Sequence, residues 1–164
     1  MFTGQRADAR AGRSPLPPGL AALRDGSIMR AMQPKKIVLV VDDEPTVVRF
    51  VKASLSLAGY EVIGTTRGDE ALQLIETKKP DIILLDVLMV PMTGFEVLEK
   101  LRTFSRVPVI VFTARHDIGG QAIALGADAF IAKPFKPDAL TEKIAEVLHD
   151  TGNVTSEPDL PRSS

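Results

Sequence analysis

Apolar and polar residues alternate along this chain in blocks that predict strands and helices in regular succession. Ile37–Val41 is a continuous apolar run rich in β-branched residues, which is typical of a strand buried on both faces. A helix follows from Pro45, with apolar residues every three or four positions until Gly59. The predicted strands are 37–41, 60–65, 81–85, 108–112 and a fifth that ends at 130–132, and the predicted helices are 45–58, 68–79, 94–104, 118–125 and 137–149. This alternation predicts an α/β fold, a doubly wound five-stranded parallel sheet with five helices on both faces.

The two ends of the chain lack this pattern. Residues 1–34 hold five Arg, two Asp and four Pro, and they predict a disordered basic N-terminal extension in which Met29 and Met32 are alternative starts. Residues 150–164 are polar and predict a flexible C-terminal tail. The folded domain is therefore expected at 35–149.

Composition narrows the class of protein. The 164 residues are 45% hydrophobic and 25% charged, with a net charge of −1 and no Cys. This composition excludes a disulfide framework and thiol catalysis, and it argues against nucleic-acid or membrane binding driven by bulk charge. The apolar runs are far shorter than a membrane span, so we expect a cytoplasmic protein.

Polar residues that can carry chemistry follow four of the predicted strands. Asp42 and Asp43 follow the first strand, Asp86 the third, Thr113 the fourth and Lys133 the fifth. Each alone has a simpler explanation, such as a helix cap or a surface turn. Because the carboxyl ends of parallel strands meet at one edge, however, the five side chains should converge. Clustered carboxylates suit Mg²⁺, a lysine suits an anion, and a carboxylate beside both can attack a phosphoryl group.

In these residues the chain resembles the receiver domain of two-component response regulators. The resemblance covers about Lys35 to His149 and rests on four motifs in the family's order: VVDDEP (40–45), ILLDVLM (83–89), VIVFTA (109–114) and AFIAKPF (129–135). It implies a flavodoxin-like fold with strand order 2-1-3-4-5.

The resemblance also assigns roles at the site. Asp86 matches the phospho-accepting aspartate, and Lys133 matches the lysine that binds the phosphoryl group. Asp42 and Asp43 match the acidic pair that holds Mg²⁺, with the backbone carbonyl of Leu88 completing the metal shell.

Two further positions match the family's switch. Thr113 matches the residue whose hydroxyl turns toward the phosphoryl group in that family, and Phe130 matches the aromatic residue that moves with it. The expected partners are a histidine kinase or phosphotransfer protein as donor and a downstream protein that binds the face of helix 4, strand 5 and helix 5. Direct binding to nucleic acid or membrane is not expected.

The function that follows is a signalling module rather than an enzyme, catalysing only its own phosphorylation and slow autodephosphorylation. The tail after His149 is too short for an output domain, which favours a stand-alone receiver. A receiver fragment of a longer hybrid kinase or transcriptional regulator is an alternative. An aspartate-nucleophile phosphohydrolase is a weaker one, because Leu88 stands where those enzymes carry a second Asp.

Three positions depart from the family's pattern. Proline usually stands four residues after the acceptor, whereas here Val90 stands there and Pro91 follows. Thr113 and Lys133 are 20 residues apart, about two fewer than is common, and the shortfall falls near two glycines that weaken the fourth helix. Leu88 and Arg115 are not the small polar pair of fast-decaying regulators, so slow to moderate loss of the phosphoryl group is expected.

Overall fold

The computed structural model describes residues 33–152. The extension and tail predicted for 1–34 and 150–164 therefore lie almost entirely outside the described residues. In chain order the strands and α-helices of the described part are β1 (Ile37–Val41), α1 (Pro45–Leu57), β2 (Glu61–Thr65), α2 (Gly68–Lys78), β3 (Ile82–Leu85), α3 (Gly94–Arg102), β4 (Val109–Thr113), α4 (Gly119–Ala124), β5 (Ala129–Ala132) and α5 (Pro137–Gly152).

The five strands form one parallel sheet in the order β2-β1-β3-β4-β5, which confirms the predicted fold class. Val41 pairs with Thr65 on one side and with Leu85 on the other, so β1, β2 and β3 end at the same level. β4 and β5 also end together, since Thr113 pairs with Ala132. The residues that follow these strands therefore emerge along a single edge.

Side chains alternate between two buried layers, one on each face of the sheet. Leu39 and Val111 belong to the layer under α2, α3 and α4, whereas Val40 and Phe112 belong to the layer under α1 and α5. β1, β3 and β4 are buried on both faces almost throughout, as their continuous apolar runs predict.

The first four α-helices end one or two residues before their predicted ends, and the start of α4 and the end of α5 also differ from prediction. A 3₁₀ turn at His116–Ile118 precedes α4, which begins at Gly119. α5 continues to Gly152, three residues beyond its predicted end at His149. In this last turn the Thr151 hydroxyl donates to the Val147 carbonyl at 3.0 Å. Within residues 33–152, no helix combines the length and the apolar character that crossing a membrane requires.

Candidate functional site

Three carboxylates converge where β1 and β3 end. Asp42 and Asp43 follow β1, Asp86 follows β3, and one oxygen of each lies within 4.8 Å of the others. Asp42 and Asp86 are buried, whereas Asp43 is partly exposed. The Asp86 N–H donates to the Val41 carbonyl at 2.9 Å, which extends the ladder between the two strands and holds the side chains together.

Both oxygens of Asp42 are engaged. One accepts from the Glu44 N–H at 2.9 Å, and the other accepts from Lys133 Nζ at 2.6 Å. Glu44 is the N-cap residue of α1, and its side chain makes no capping hydrogen bond. The helix begins with Pro45, which needs no partner for an N–H. Asp42 therefore shapes the turn and at the same time pairs with a distant cation.

Lys133 joins the far end of the sheet to the acidic cluster. Its backbone N–H donates to the Thr113 carbonyl at 2.8 Å, which places the residue directly after β5. Its Nζ lies 3.5 Å from Asp86 Oδ2, in addition to the shorter contact with Asp42. One ammonium thus lies against two of the three carboxylates, and the cluster remains net negative.

The electrostatics of Asp86 reflect this crowding. Burial, and secondly the nearby charge of Asp42, raise the pKa of the Asp86 carboxyl above its ordinary value. The Lys133 ammonium and the Leu88 N–H, which donates to Asp86 Oδ1 at 3.3 Å, oppose the shift. A carboxylate that is destabilised in this way gains from any cation that enters the cluster.

The other predicted site residues lie at the end of β4, in β5 and in the loop after Asp86. Thr113 is the buried last residue of β4, and its Oγ1 accepts from the Arg115 N–H at 3.3 Å. Phe130 is half-buried in β5, and its ring lies against Gly119. The Leu88 side chain is half-exposed.

The loop after Asp86 keeps its tight packing although its proline is displaced. Val90 is exposed, and the peptide bond between Val90 and Pro91 is cis. Gly94 donates to the Val87 carbonyl at 3.0 Å, and an added Cβ there would overlap the backbone carbonyl of Asp86. Glycine at this position therefore permits the close approach of α3 to the loop after Asp86.

The residues present fit a hard divalent cation. Carboxylate oxygens are the preferred ligands of Mg²⁺, and a net negative cluster open on the Asp43 side leaves room for waters. Asp42, Asp43 and Asp86 would hold such an ion, and the Leu88 carbonyl is in the adjoining loop. The chemistry supplied there would be neutralisation of carboxylate and phosphoryl charge.

Two features of the site were not predicted from the sequence. The Phe112 ring lies under the Lys133 ammonium, with Nζ 4.7 Å from the ring centroid. An apolar groove of about 500 Å³ also adjoins Lys133, lined in part by Val47, Phe50 and Phe135. Strand alternation predicts that Phe112 faces α1. The contact between Phe112 and Lys133, however, depends on the path of the Lys133 side chain, which the sequence pattern does not give.

The fold and this edge define a doubly wound α/β domain with an acidic cluster that fits a divalent cation and an adjacent lysine. The family described as "Response regulator receiver domain" matches residues 38–145. The chain therefore belongs to the response regulator receiver family, as its motifs suggested.

Curated relatives agree with this assignment. A probable transcriptional regulator ycf27 of Porphyridium aerugineum is 39% identical over 134 residues, which are 80% of this chain and 55% of that protein. The alkaline phosphatase synthesis transcriptional regulatory protein PhoP of Bacillus subtilis is 37% identical over 69% of this chain and 48% of its own length. The chain thus spans about half the length of these relatives.

Solved structures share the fold. A CheY-like receiver domain protein from Methanospirillum hungatei is 32% identical, with a TM-score of 0.69 over 74% of this chain and 99% of that one. The BeF₃-activated receiver domain of RstA from Klebsiella pneumoniae is 26% identical, with a TM-score of 0.66 over 69% of this chain and 98% of that one. The chain is thus a receiver domain of two-component signal transduction rather than a member of a classical enzyme family.

Proposed function

We propose that this chain accepts a phosphoryl group on Asp86 from a histidine kinase or phosphotransfer protein, with Mg²⁺ held by Asp42, Asp43 and Asp86. The observation that carries the proposal is the convergence of three carboxylates within 4.8 Å, with Lys133 Nζ 2.6 Å from Asp42 and 3.5 Å from Asp86. Positioning and charge neutralisation supply most of the catalysis that phosphoryl transfer needs.

In the transfer, an Asp86 oxygen attacks the phosphorus of a phosphohistidine. The P–N bond breaks, its electron pair returns to the imidazole nitrogen, and Asp86 carries an acyl phosphate. The Lys133 ammonium, already between Asp42 and Asp86, turns to a phosphoryl oxygen. The protein thus catalyses its own phosphorylation, while the donor supplies the reactive bond.

The switch that follows uses Thr113 and Phe130. The Thr113 oxygen accepts from the Arg115 N–H, so its own proton is available for a phosphoryl oxygen. Thr113 and Phe130 lie on the same face of neighbouring strands, because Val111, two residues before Thr113, pairs with Phe130. A phosphoryl charge of about −1.5 to −2 would bias this pair and the face of α4, β5 and α5.

The donor protein would rest on the apolar groove beside Lys133. Its histidine must reach Asp86, so its surface covers the residues around the pocket, including half-exposed Phe50. Phe50→Ser should therefore slow transfer from a phosphorylated phosphotransfer protein and leave the rate with acetyl phosphate unchanged. The exposed Leu57, also on α1, gives the matched variant Leu57→Ser, which should change neither rate.

The test of phosphoryl acceptance is the mass of the full chain after incubation with acetyl phosphate, with and without Mg²⁺. We expect a Mg²⁺-dependent gain of one phosphoryl group, lost in Asp86→Asn and retained in the surface control Asp69→Asn. A wild-type chain that gains no phosphoryl group would refute the proposal.

The phosphorylated form is expected to lose its phosphoryl group slowly. This expectation rests on Leu88 and on the Arg115 side chain, which pairs with Asp117. A phosphoryl half-life of seconds would contradict it.

The place of this receiver in a signalling system admits two proposals. A stand-alone cytoplasmic receiver would act through protein docking on its α4, β5 and α5 face. A receiver that controls a transcriptional output is favoured by the relatives, which are named transcriptional regulators and are about twice as long as the match. Binding of the phosphorylated chain to purified candidate target proteins, compared with that of Asp86→Asn, distinguishes the two proposals. Binding that requires Asp86 favours the stand-alone receiver, which acts by docking on a separate protein.

A further inference from the structure

The Lys133 ammonium has three close neighbours, and one of them is aromatic. Nζ lies 2.6 Å from Asp42 and 3.5 Å from Asp86, and it lies over the Phe112 ring at 4.7 Å from the centroid. A cation within about 6 Å of a ring face is attracted by the ring's quadrupole, more strongly when it is removed from water. The Lys133 side chain is 17% exposed, so this cation is largely desolvated.

The Phe112 ring is itself fixed in place. It is fully buried in the layer between the sheet and helices α1 and α5. The Phe135 ring packs against it at 6.0 Å between centroids and 76° between planes, an edge-to-face arrangement. The ring is thus a rigid platform whose face is turned to the ammonium.

The three neighbours of Lys133 differ in what happens to them during the reaction. This step rests on the proposed function, in which Asp42 becomes a metal ligand and Asp86 an acyl phosphate. Both events weaken the attraction that holds the ammonium to these carboxylates. Phe112 binds neither metal nor phosphoryl group, so its attraction persists while the other two partners change.

We propose that Phe112 is a positioning residue for phosphoryl transfer, holding the Lys133 ammonium toward the acceptor while its carboxylate partners are exchanged. It acts through Lys133 and does not touch the phosphoryl group. A purely structural role for the ring would require its volume and apolar character but not the negative charge of its face. The two roles therefore separate when the ring keeps its shape and loses its quadrupole.

Fluorinated phenylalanines at position 112 make this separation. One, two and three ring fluorines weaken the negative face in steps and barely alter the ring's size. In the full chain with saturating Mg²⁺, we expect the rate of phosphorylation by acetyl phosphate to fall in the same steps, about threefold to tenfold in total. The same series at the half-exposed Phe104, two residues beyond the end of α3, should leave the rate unchanged. Equal rates across the Phe112 series would overturn the proposal.

A second measurement needs no phosphorylation. Protons on the Lys133 ε-carbon lie near the ring face, so their NMR signals should be shifted upfield, and Lys133→Arg identifies them by their absence. We expect the shift to persist when Mg²⁺ saturates the protein and to vanish in Phe112→Leu. A shift lost on adding Mg²⁺ would show that the carboxylates alone hold the ammonium, which overturns the proposal.

The two proposals can fail independently. If the wild type accepts no phosphoryl group, the proposed function fails, whereas the ring-current shift still decides whether Phe112 holds Lys133.

Discussion

The two glycines that open α4 offer a matched test of the packing beneath this helix. Gly119 has φ −57° and ψ −44°, an ordinary helical conformation that alanine adopts without strain. An added Cβ at Gly119 would lie 3.0–3.2 Å from three atoms of the Phe130 ring, whereas one at Gly120 would meet nothing within 4 Å. The same substitution at neighbouring positions therefore differs only in what the methyl group contacts.

The two substitutions should change the free energy of unfolding in opposite directions. Replacing a helical glycine by alanine stabilises by about 0.5–1 kcal/mol, and Gly120→Ala should show most of this gain. At Gly119 the methyl group overpacks against the ring, which costs about 1–3 kcal/mol and outweighs the gain. The free energies of unfolding of the two variants should therefore differ by about 1–3 kcal/mol, or roughly 4–10 °C in Tm.

Urea and thermal unfolding followed by circular dichroism measure this difference. The double variant Gly119→Ala/Phe130→Leu supplies the control, because removing the ring should remove most of the penalty from the added methyl group. Equal stability of Gly119→Ala and Gly120→Ala would refute the reasoning. So would a penalty at Gly119 that persists without the Phe130 ring, since the cost would then lie elsewhere in α4.

Three further outcomes test other parts of the molecule. Because burial and Asp42 raise the pKa of Asp86, the folded state holds this proton more tightly than the unfolded state, and stability falls as pH rises through the titration of Asp86. Asp86→Asn should therefore have the higher urea midpoint at pH 7, and this advantage should shrink as the pH falls through the titration of Asp86 and change no further below about pH 4, where the unfolded state is protonated as well. Mg²⁺ should stabilise the wild type more than the variant, which keeps two of the three carboxylates; a less stable variant at pH 7 would contradict this. Gly94→Ala should lose about 3 kcal/mol or more through overlap with the Asp86 carbonyl, and an unchanged urea midpoint would show that α3 can move away. Arg102→Met should lose about 1–3 kcal/mol, because Arg102 donates to the Gly126 and Val107 carbonyls and pairs with Asp128, and calorimetry showing no loss of Tm would contradict this.

Local pattern was sufficient to predict the order of the elements and the edge on which the site lies. Apolar runs of strand length alternate with helical periodicity, and parallel connection then brings the residues after each strand together. Asp42, Asp86 and Lys133 meet as expected for this reason. The pattern carries no distances, however, and it could not show that Lys133 lies closer to Asp42 than to Asp86. That difference depends on the path of the Lys133 side chain from the end of β5, which the pattern does not specify.

The short connection between β4 and β5 departs from the family pattern, and its two glycines have different structural consequences. Thr113 and Lys133 are 20 residues apart, and α4 retains only the six residues from Gly119 to Ala124. The sequence indicated that two glycines would weaken this helix, and by propensity alone both are unfavourable. The structure separates them, because Gly119 is buried against the Phe130 ring and Gly120 is exposed. At Gly119 the missing side chain makes room for the ring, so the lost propensity is offset by close packing. Movement of Phe130 would therefore act directly on the backbone that begins α4.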